Sequence, residues 1–427
     1  MAPEVGEVKR EEGGMSDSTT EVYEGLTGAK EVEVREARNG LRHATSLTMT
    51  KLADGLIDPK LVLSWLGGAL GVPAGIVGLF VPIREAGALL PQIVLAGRVQ
   101  AMRHRKWAWV AGSAGQGICA ALIVLAALTL SGWAAGVAMA LALGGLAVSR
   151  SFCSVSFKDI LGKTVGKTRR GAVTGIAGSI SALAVLAFAL ILMVGPGQAL
   201  WPVMVAIGLA SALWLLGAIL FSTLEETASE PEKGAGLDLS PLREDARLRR
   251  FVAARGALTV TALAPPYFVL LGGGQSALQA LGALVLASSA ASFLSSYVWG
   301  RLADRSSRLV LAASGLLAAL FMALAVLADL AGWARAPWVI PLVLFGLMLA
   351  YHGVRQGRSV YLVDFAPKDR RSAYAALANT SIGLLLLAVG ALGGALAALG
   401  PQVALAGFAV LSLLGAALAL SLDEVER

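Results

Sequence analysis

From Ala44 onward the chain reads as long apolar runs separated by short polar breaks. Twelve runs are long enough to cross about 30 Å of hydrocarbon as helices. They cover residues 45–66, 75–97, 107–130, 134–157, 171–194 and 200–221, then 252–271, 277–299, 309–328, 337–356, 373–397 and 402–421. The runs are continuous rather than alternating with period two, which excludes an outer-membrane barrel and predicts an all-α, polytopic membrane protein. The first and seventh runs are the weakest, because they contain charges or a Pro pair.

The polar breaks organise these spans. Residues 1–43 hold ten acids against six bases and lack an apolar core, so they predict a disordered acidic cytosolic tail without a cleavable signal peptide. Met15 is an alternative start within it. A second polar stretch, 223–250, carries Glu225, Glu226, Glu230 and Glu232, then Arg243, Arg247, Arg249 and Arg250. It divides the chain into an N-terminal six-helix bundle, 44–222, and a C-terminal one, 251–422, with a short cytosolic tail at 423–427.

Composition agrees: 56% hydrophobic residues, only 15% charged, and 50 Gly exclude a chain of soluble domains and a disordered or fibrous one. The net charge of +7 changes the picture only through its placement. Beyond residue 43 there are 29 bases and 18 acids, and the bases gather in the connections after spans 2, 4, 8 and 10. The connections after spans 1, 3, 5, 7 and 11 have neither Lys nor Arg. Cationic loops stay cytoplasmic, so both termini and the linker are expected inside a bacterial-type inner membrane. Such loops are no nucleic-acid stripe. Cys119 and Cys153 fall in apolar segments, implying neither a disulfide framework nor a metal cluster, and no cofactor is expected.

The two halves repeat. Gly97-Arg98 and Gly300-Arg301 match at an offset of 203, which also aligns Arg105 with Arg308 and Gly112 with Gly315. At an offset of 205, Arg150, Ser154, Val155 and Asp159 match Arg355, Ser359, Val360 and Asp364. Duplicated halves around a midplane site are a transporter architecture. The stretch Gly300-Arg301-Leu302-Ala303-Asp304-Arg305-Ser306-Ser307-Arg308 resembles the loop motif of the major facilitator superfamily, with Ser307 in place of its Gly. The first-half copy has Ala101 where the Asp belongs, and 364–371 resembles the family's loop between spans 10 and 11. The resemblance covers about residues 45–421 and implies two pseudo-symmetric bundles of six helices. It also implies a cytoplasmic gate of Gly300, Asp304, Arg305 and Arg308 with Arg150, Asp159, Arg355 and Asp364. Asp304 would then sit at a helix N-terminus, of span 11 or of span 5 around Gly171, where the helix dipole favours a carboxylate. The other reading is a solvated basic loop that only enforces topology. The Gly-Pro pattern that marks many drug–proton antiporters is missing, since Gly171, Gly175 and Gly178 have no Pro among them.

Charges inside the apolar runs are the candidate chemistry, each costing roughly 3 kcal/mol unless paired or wetted. Asp54 and Asp58 share one face of span 1, and Arg84 and Glu85 lie at similar depth on span 2. An Asp58–Arg84 pair is expected, with Glu85 turned about 100° away. These four residues read as a substrate-anchoring or proton-coupling centre, or else as a structural clamp. Pro59 should break span 1, and Pro265-Pro266 is its counterpart on span 7, a pairing that marks transporter sites. On span 10, Tyr351 and His352 interrupt an apolar run; His352 is either a titrating group or a packed one. Residues 162–168 fall one residue short of a phosphate-binding loop, so nucleotide binding is not expected. Spacings such as Gly171–Gly175 predict close helix packing.

The expected function is secondary active transport of a small solute by a monomer using alternating access, driven by protons, with the lipid bilayer as its other partner. A non-transporting sensor or assembly factor on the same fold, or a lipid flippase, are the alternatives. No nucleophile–base arrangement suggests an enzyme.

Overall fold

The structure is a computed structural model of the chain, and it describes residues 13–28, 32–194, 199–230, 240–272, 278–303, 305–366 and 371–425. Those residues form helices and connections, with no strand among them. The first half comprises span 1 (Val34–Leu56 and Val62–Ala69), span 2 (Ala74–Val77, Phe80–Leu89 and Gln92–Gln100) and spans 3 to 6 (Lys106–Thr129, Gly132–Thr164, Arg170–Val194 and Trp201–Ser222). The second comprises span 7 (Ala246–Ala257, Val260–Leu263 and Pro265–Leu271) and spans 8 to 12 (Leu278–Ala303, Ser307–Leu330, Val339–Phe365, Arg371–Ala397 and Pro401–Leu420).

Ten of these are long and apolar enough to cross a membrane, or eleven when the bent second span is counted once. The remaining one, span 1, carries Lys51, Asp54, Asp58 and Lys60 and is interrupted, which is why hydropathy alone misses it. Pro59 has no N–H to donate, and the helix stops at Leu56 as expected. The freed backbone is satisfied locally: the N–H groups of Val62 and Leu63 donate to the Asp58 carbonyl, and Ser64 Oγ donates to the Pro59 carbonyl at 2.7 Å. Span 7 breaks twice, with Pro265 and Pro266 opening its last segment. The interruptions thus fall in corresponding spans of the two halves.

Side chains such as Leu141, Leu183, Ile191, Ile219 and Leu320 are exposed on the outer faces, where lipid would cover them. Within the first half, Trp214, Met139 and Leu146 fill the core; Tyr267, Phe268 and Phe408 do so in the second.

Three expectations are corrected. Residues 13–27 of the acidic head are a helix, and its Tyr23 is buried against Gly40, so this part of the head is ordered rather than disordered. Spans 1 and 7 begin earlier than their apolar runs, at Val34 and Ala246, because amphipathic turns extend them. In span 1 these turns carry Arg35, Glu36, Arg38 and Arg42, ahead of the apolar run that opens at residue 45. Finally, Gly171 and Gly175 have open space within 4 Å of where a Cβ would stand, so they pack against nothing here.

That open face belongs to a larger asymmetry. The halves press together at the end away from the basic loops. A Cβ on Gly75 of span 2 would stand 3.1 Å from the Gly394 carbonyl of span 11, and one on Gly282 of span 8 only 2.7 Å from the Ala189 carbonyl of span 5. At the basic-loop end of the same spans 5 and 8, Gly171, Gly175 and Gly300 all face open space. Spans 5 and 8 therefore converge at one end and part at the other.

Candidate functional site

Span 1 places its carboxylates where the two halves meet. Asp54 accepts from Arg84 Nη2 at 2.7 Å and also from Arg150 Nη1 on span 4. Arg84 is buried with this partner. The predicted Asp58–Arg84 pair does not form: Asp54, one turn earlier and on the same face, takes the guanidinium. Asp58 instead accepts from the backbone N–H of Lys60 at 3.2 Å, capping the break. It makes no ion pair within 4 Å among the described residues.

Lys60 is a site residue that sequence reasoning missed, hidden behind the helix-breaking Pro59. It is buried, donates to Tyr351 Oη of span 10 at 2.9 Å and lies 3.9 Å from Glu85. Its ammonium also sits 4.1 Å from the centre of the Tyr351 ring, so Tyr351 engages it through both hydroxyl and ring. This contact ties the first half to the second. His352, next along, stacks edgewise on Tyr351, and its Nε2 has no hydrogen-bond partner among the described residues.

Beside Glu85 a cavity of about 140 Å³ opens between the halves. Its walls include Arg255 and Thr259 of span 7, Tyr351, Arg355 and Arg358 of span 10, and Asn379 of span 11. Arg255 is buried and donates to Asn379 Oδ1 at 3.1 Å, while its Nε has no partner. Sequence reasoning placed Arg255 inside span 7 without a role and left Arg358 in a topological loop. The legible signal was the spacing of Tyr351, Arg355 and Arg358, which puts all three on one face of a helix.

The proposed gate residues divide. Asp304 lies outside the described residues. In the first half, Asp159 pairs with Arg105 at 2.8 Å and with Lys163. Glu226, its side chain fully buried, accepts from the backbone N–H groups of Arg105 and Lys106 and lies 3.6 Å from Lys163. This network pins the end of span 4, the loop after span 2 and the start of the linker together. In the second half the equivalent Arg308 pairs with Glu424 at 2.7 Å, not with Asp364, which is exposed. Gly300 and Arg305 are at the open end, Gly300 with nothing within 4 Å of its Cβ position and Arg305 exposed. Among the described residues, no three His, Cys, Asp or Glu gather as metal ligands would.

No protein-family model matches the sequence, and no curated protein does. Solved structures do match in shape. A point mutant of the nucleoside transporter NupG superimposes with a TM-score of 0.69 at 14% identity, covering 90% of this chain and 100% of that one. A D-xylose-proton symporter gives 0.66 at 12% identity, covering 91% and 98%. A POT family transporter in complex with a thioalcohol-conjugated peptide gives 0.64 at 12%, covering 90% and 96%. The chain thus shares the all-α fold of these transporter structures, and its ten or eleven helices of membrane-crossing length and apolarity make it a multi-pass membrane protein.

Proposed function

We propose that the protein is a secondary active transporter, moving a small solute across a bacterial inner membrane by alternating access between its halves. One observation carries the reading: buried, ion-paired charges sit where the halves meet, beneath a cleft open at one end only. Charges in hydrocarbon are costly unless they serve a path, and a one-sided cleft over a midplane site is what alternating access requires. The basic loops flank the open end, so the positive-inside rule makes it cytoplasmic and leaves both termini inside. Residues 44–222 and 251–422 are the two moving bodies, and a single copy suffices.

Protons are the proposed driving ion. Asp58 is the carboxylate in the break of span 1 that no cation among the described residues holds within 4 Å, beside the Lys60–Glu85 pair and the Asp54 cluster. Protonation there would change the charge balance of the cleft as it alternates. A structural neighbour described as a D-xylose-proton symporter shares the fold. Asp54, Arg84 and Glu85 shape the centre, His352 backs Tyr351, and the networks around Asp159 and Arg308 stiffen each half at the gate.

The test is flux. In proteoliposomes, a solute found by thermal-shift screening should accumulate against its gradient when a pH gradient is imposed, and a protonophore should abolish the accumulation. A solute that binds but never crosses the membrane would overturn the transport reading in favour of a sensor.

A further inference from the structure

The cations around the cleft are largely paired on one side and lack carboxylate partners on the other. In the first half, Arg84, Arg150, Lys60 and Lys51 face Asp54, Asp58 and Glu85, four cations against three carboxylates. The second half adds Arg255, Arg355 and Arg358 to the cavity wall and no carboxylate. Spans 7, 8, 11 and 12 contain no acidic residue at all over their described lengths. Span 10 has only Asp364, nine residues beyond Arg355 and so half a turn round the helix from it.

The internal repeat sharpens the contrast. Arg150 and Arg355 are equivalent positions of the repeat, and no residue of span 7 supplies a carboxylate as Asp54 of span 1 does. Arg150 is neutralised by Asp54. Arg355, beside Thr259 on the cavity wall, has no carboxylate within 4 Å among the described residues. The buried Arg255 likewise has only a neutral amide as partner and an unsatisfied Nε. Guanidinium groups pair bidentately with carboxylates and phosphates, and buried cations without a counter-charge are costly.

We infer that the cavity is an anion site: its ligand is a small organic anion bearing carboxylate or phosphate groups, held by Arg255, Arg355 and Arg358. The ligand supplies the negative charge that the second half lacks. Asn379 orients Arg255, and Tyr351 leaves the first-half charges tied to Lys60. The inference deepens the transport reading, naming the class of solute that reading requires.

The experiment measures binding by the purified full-length protein in nanodiscs, at constant ionic strength set with chloride. The probes are succinate, glycerol 3-phosphate, D-xylose, uridine and tetraphenylphosphonium. Succinate or glycerol 3-phosphate should bind saturably, and whichever binds tells a carboxylate site from a phosphate site; the others should not. Arg355→Gln, at the exposed end of the wall, should weaken that binding about tenfold or more. Arg358→Gln should do the same if Arg355→Gln fails to fold. Binding of a neutral or cationic probe in preference, or anion binding unchanged in the folded variants, overturns the inference. Anion binding without flux would sink the transport reading and keep this one; proton-driven flux of an uncharged solute would do the reverse.

Discussion

Asp54 on span 1 accepts a 2.7 Å hydrogen bond from Arg84 on span 2, and the same carboxylate holds Arg150 of span 4. One anion thus locks three spans of the first half beside the cleft. Asp54→Asn leaves two guanidinium groups sharing a neutral amide, with Arg84 buried. Breaking a buried pair from one side costs about 3 kcal/mol, so this variant should express poorly or melt several degrees lower. The double variant Asp54→Asn, Arg84→Met should recover part of that loss. A single variant as stable as the parent, by thermal unfolding in detergent, would show that the cluster carries little folding energy.

The Lys60–Tyr351 contact is expected to act on the transport cycle rather than on folding. Tyr351→Phe keeps the ring beneath the ammonium and removes only the 2.9 Å hydrogen bond, a loss of about 1 kcal/mol. The melting temperature should hardly move, while the proposed transport should change several-fold in rate, because the bond joins the two halves. Unchanged rates would make the contact incidental.

The acidic head should respond to pH. Arg169 donates to both oxygens of Glu36 at 2.6 Å, and the Gly166 N–H adds a bond at 2.9 Å. Burial would raise the Glu36 carboxyl, but the Arg169 guanidinium and the Gly166 N–H hold it below its ordinary 4.5. A depressed carboxylate stabilises the fold above its unfolded pKa and loses that contribution as pH falls through the lower folded value. The protection factors of residues 13–40, corrected for the intrinsic pH dependence of amide exchange, should therefore be flat from pH 7 to 5 and fall below about 4.5. Glu36→Gln, removing a partly exposed pair that contributes about 1 kcal/mol, should raise exchange already at pH 7.

Topology has its own check. Cysteines placed at Ser131 and Ala331, exposed in connections at the closed end, should react with an impermeant maleimide added outside intact cells. Cysteines at Lys163 and Arg305 should react only after permeabilisation. The opposite pattern at any one position would overturn the assigned orientation.

Much of the fold was legible because lipid imposes it. Apolar runs of membrane length and basic loops fixed the spans, and Pro59 and Pro265-Pro266 marked the broken helices. The charged centre was legible only as a neighbourhood. Depth and helical phase cannot tell Asp54 from Asp58, one turn apart, as the partner of Arg84; the break at Pro59 decides it by turning Asp58 onto its own backbone. Lys60 escaped notice behind the helix-breaking Pro59, and Arg255 because the run 252–271 drew attention through its Pro pair rather than its one base. The helix over Gly13–Thr27 escaped for a related reason: its few apolar side chains, Tyr23 above all, are buried only by a surface that other spans create.

Alternating access is most directly tested by the distance between Gly171 on span 5 and Gly300 on span 8, which face open space at the basic-loop end. Nitroxide labels on Gly171→Cys and Gly300→Cys, with Cys119 and Cys153 replaced by Ala, read that distance by pulsed electron resonance in nanodiscs. The protein should show two populations, one long, matching the open cleft, and one shorter, with bound solute shifting their ratio. A single long distance that neither solute nor pH changes would contradict a transporter that closes this end.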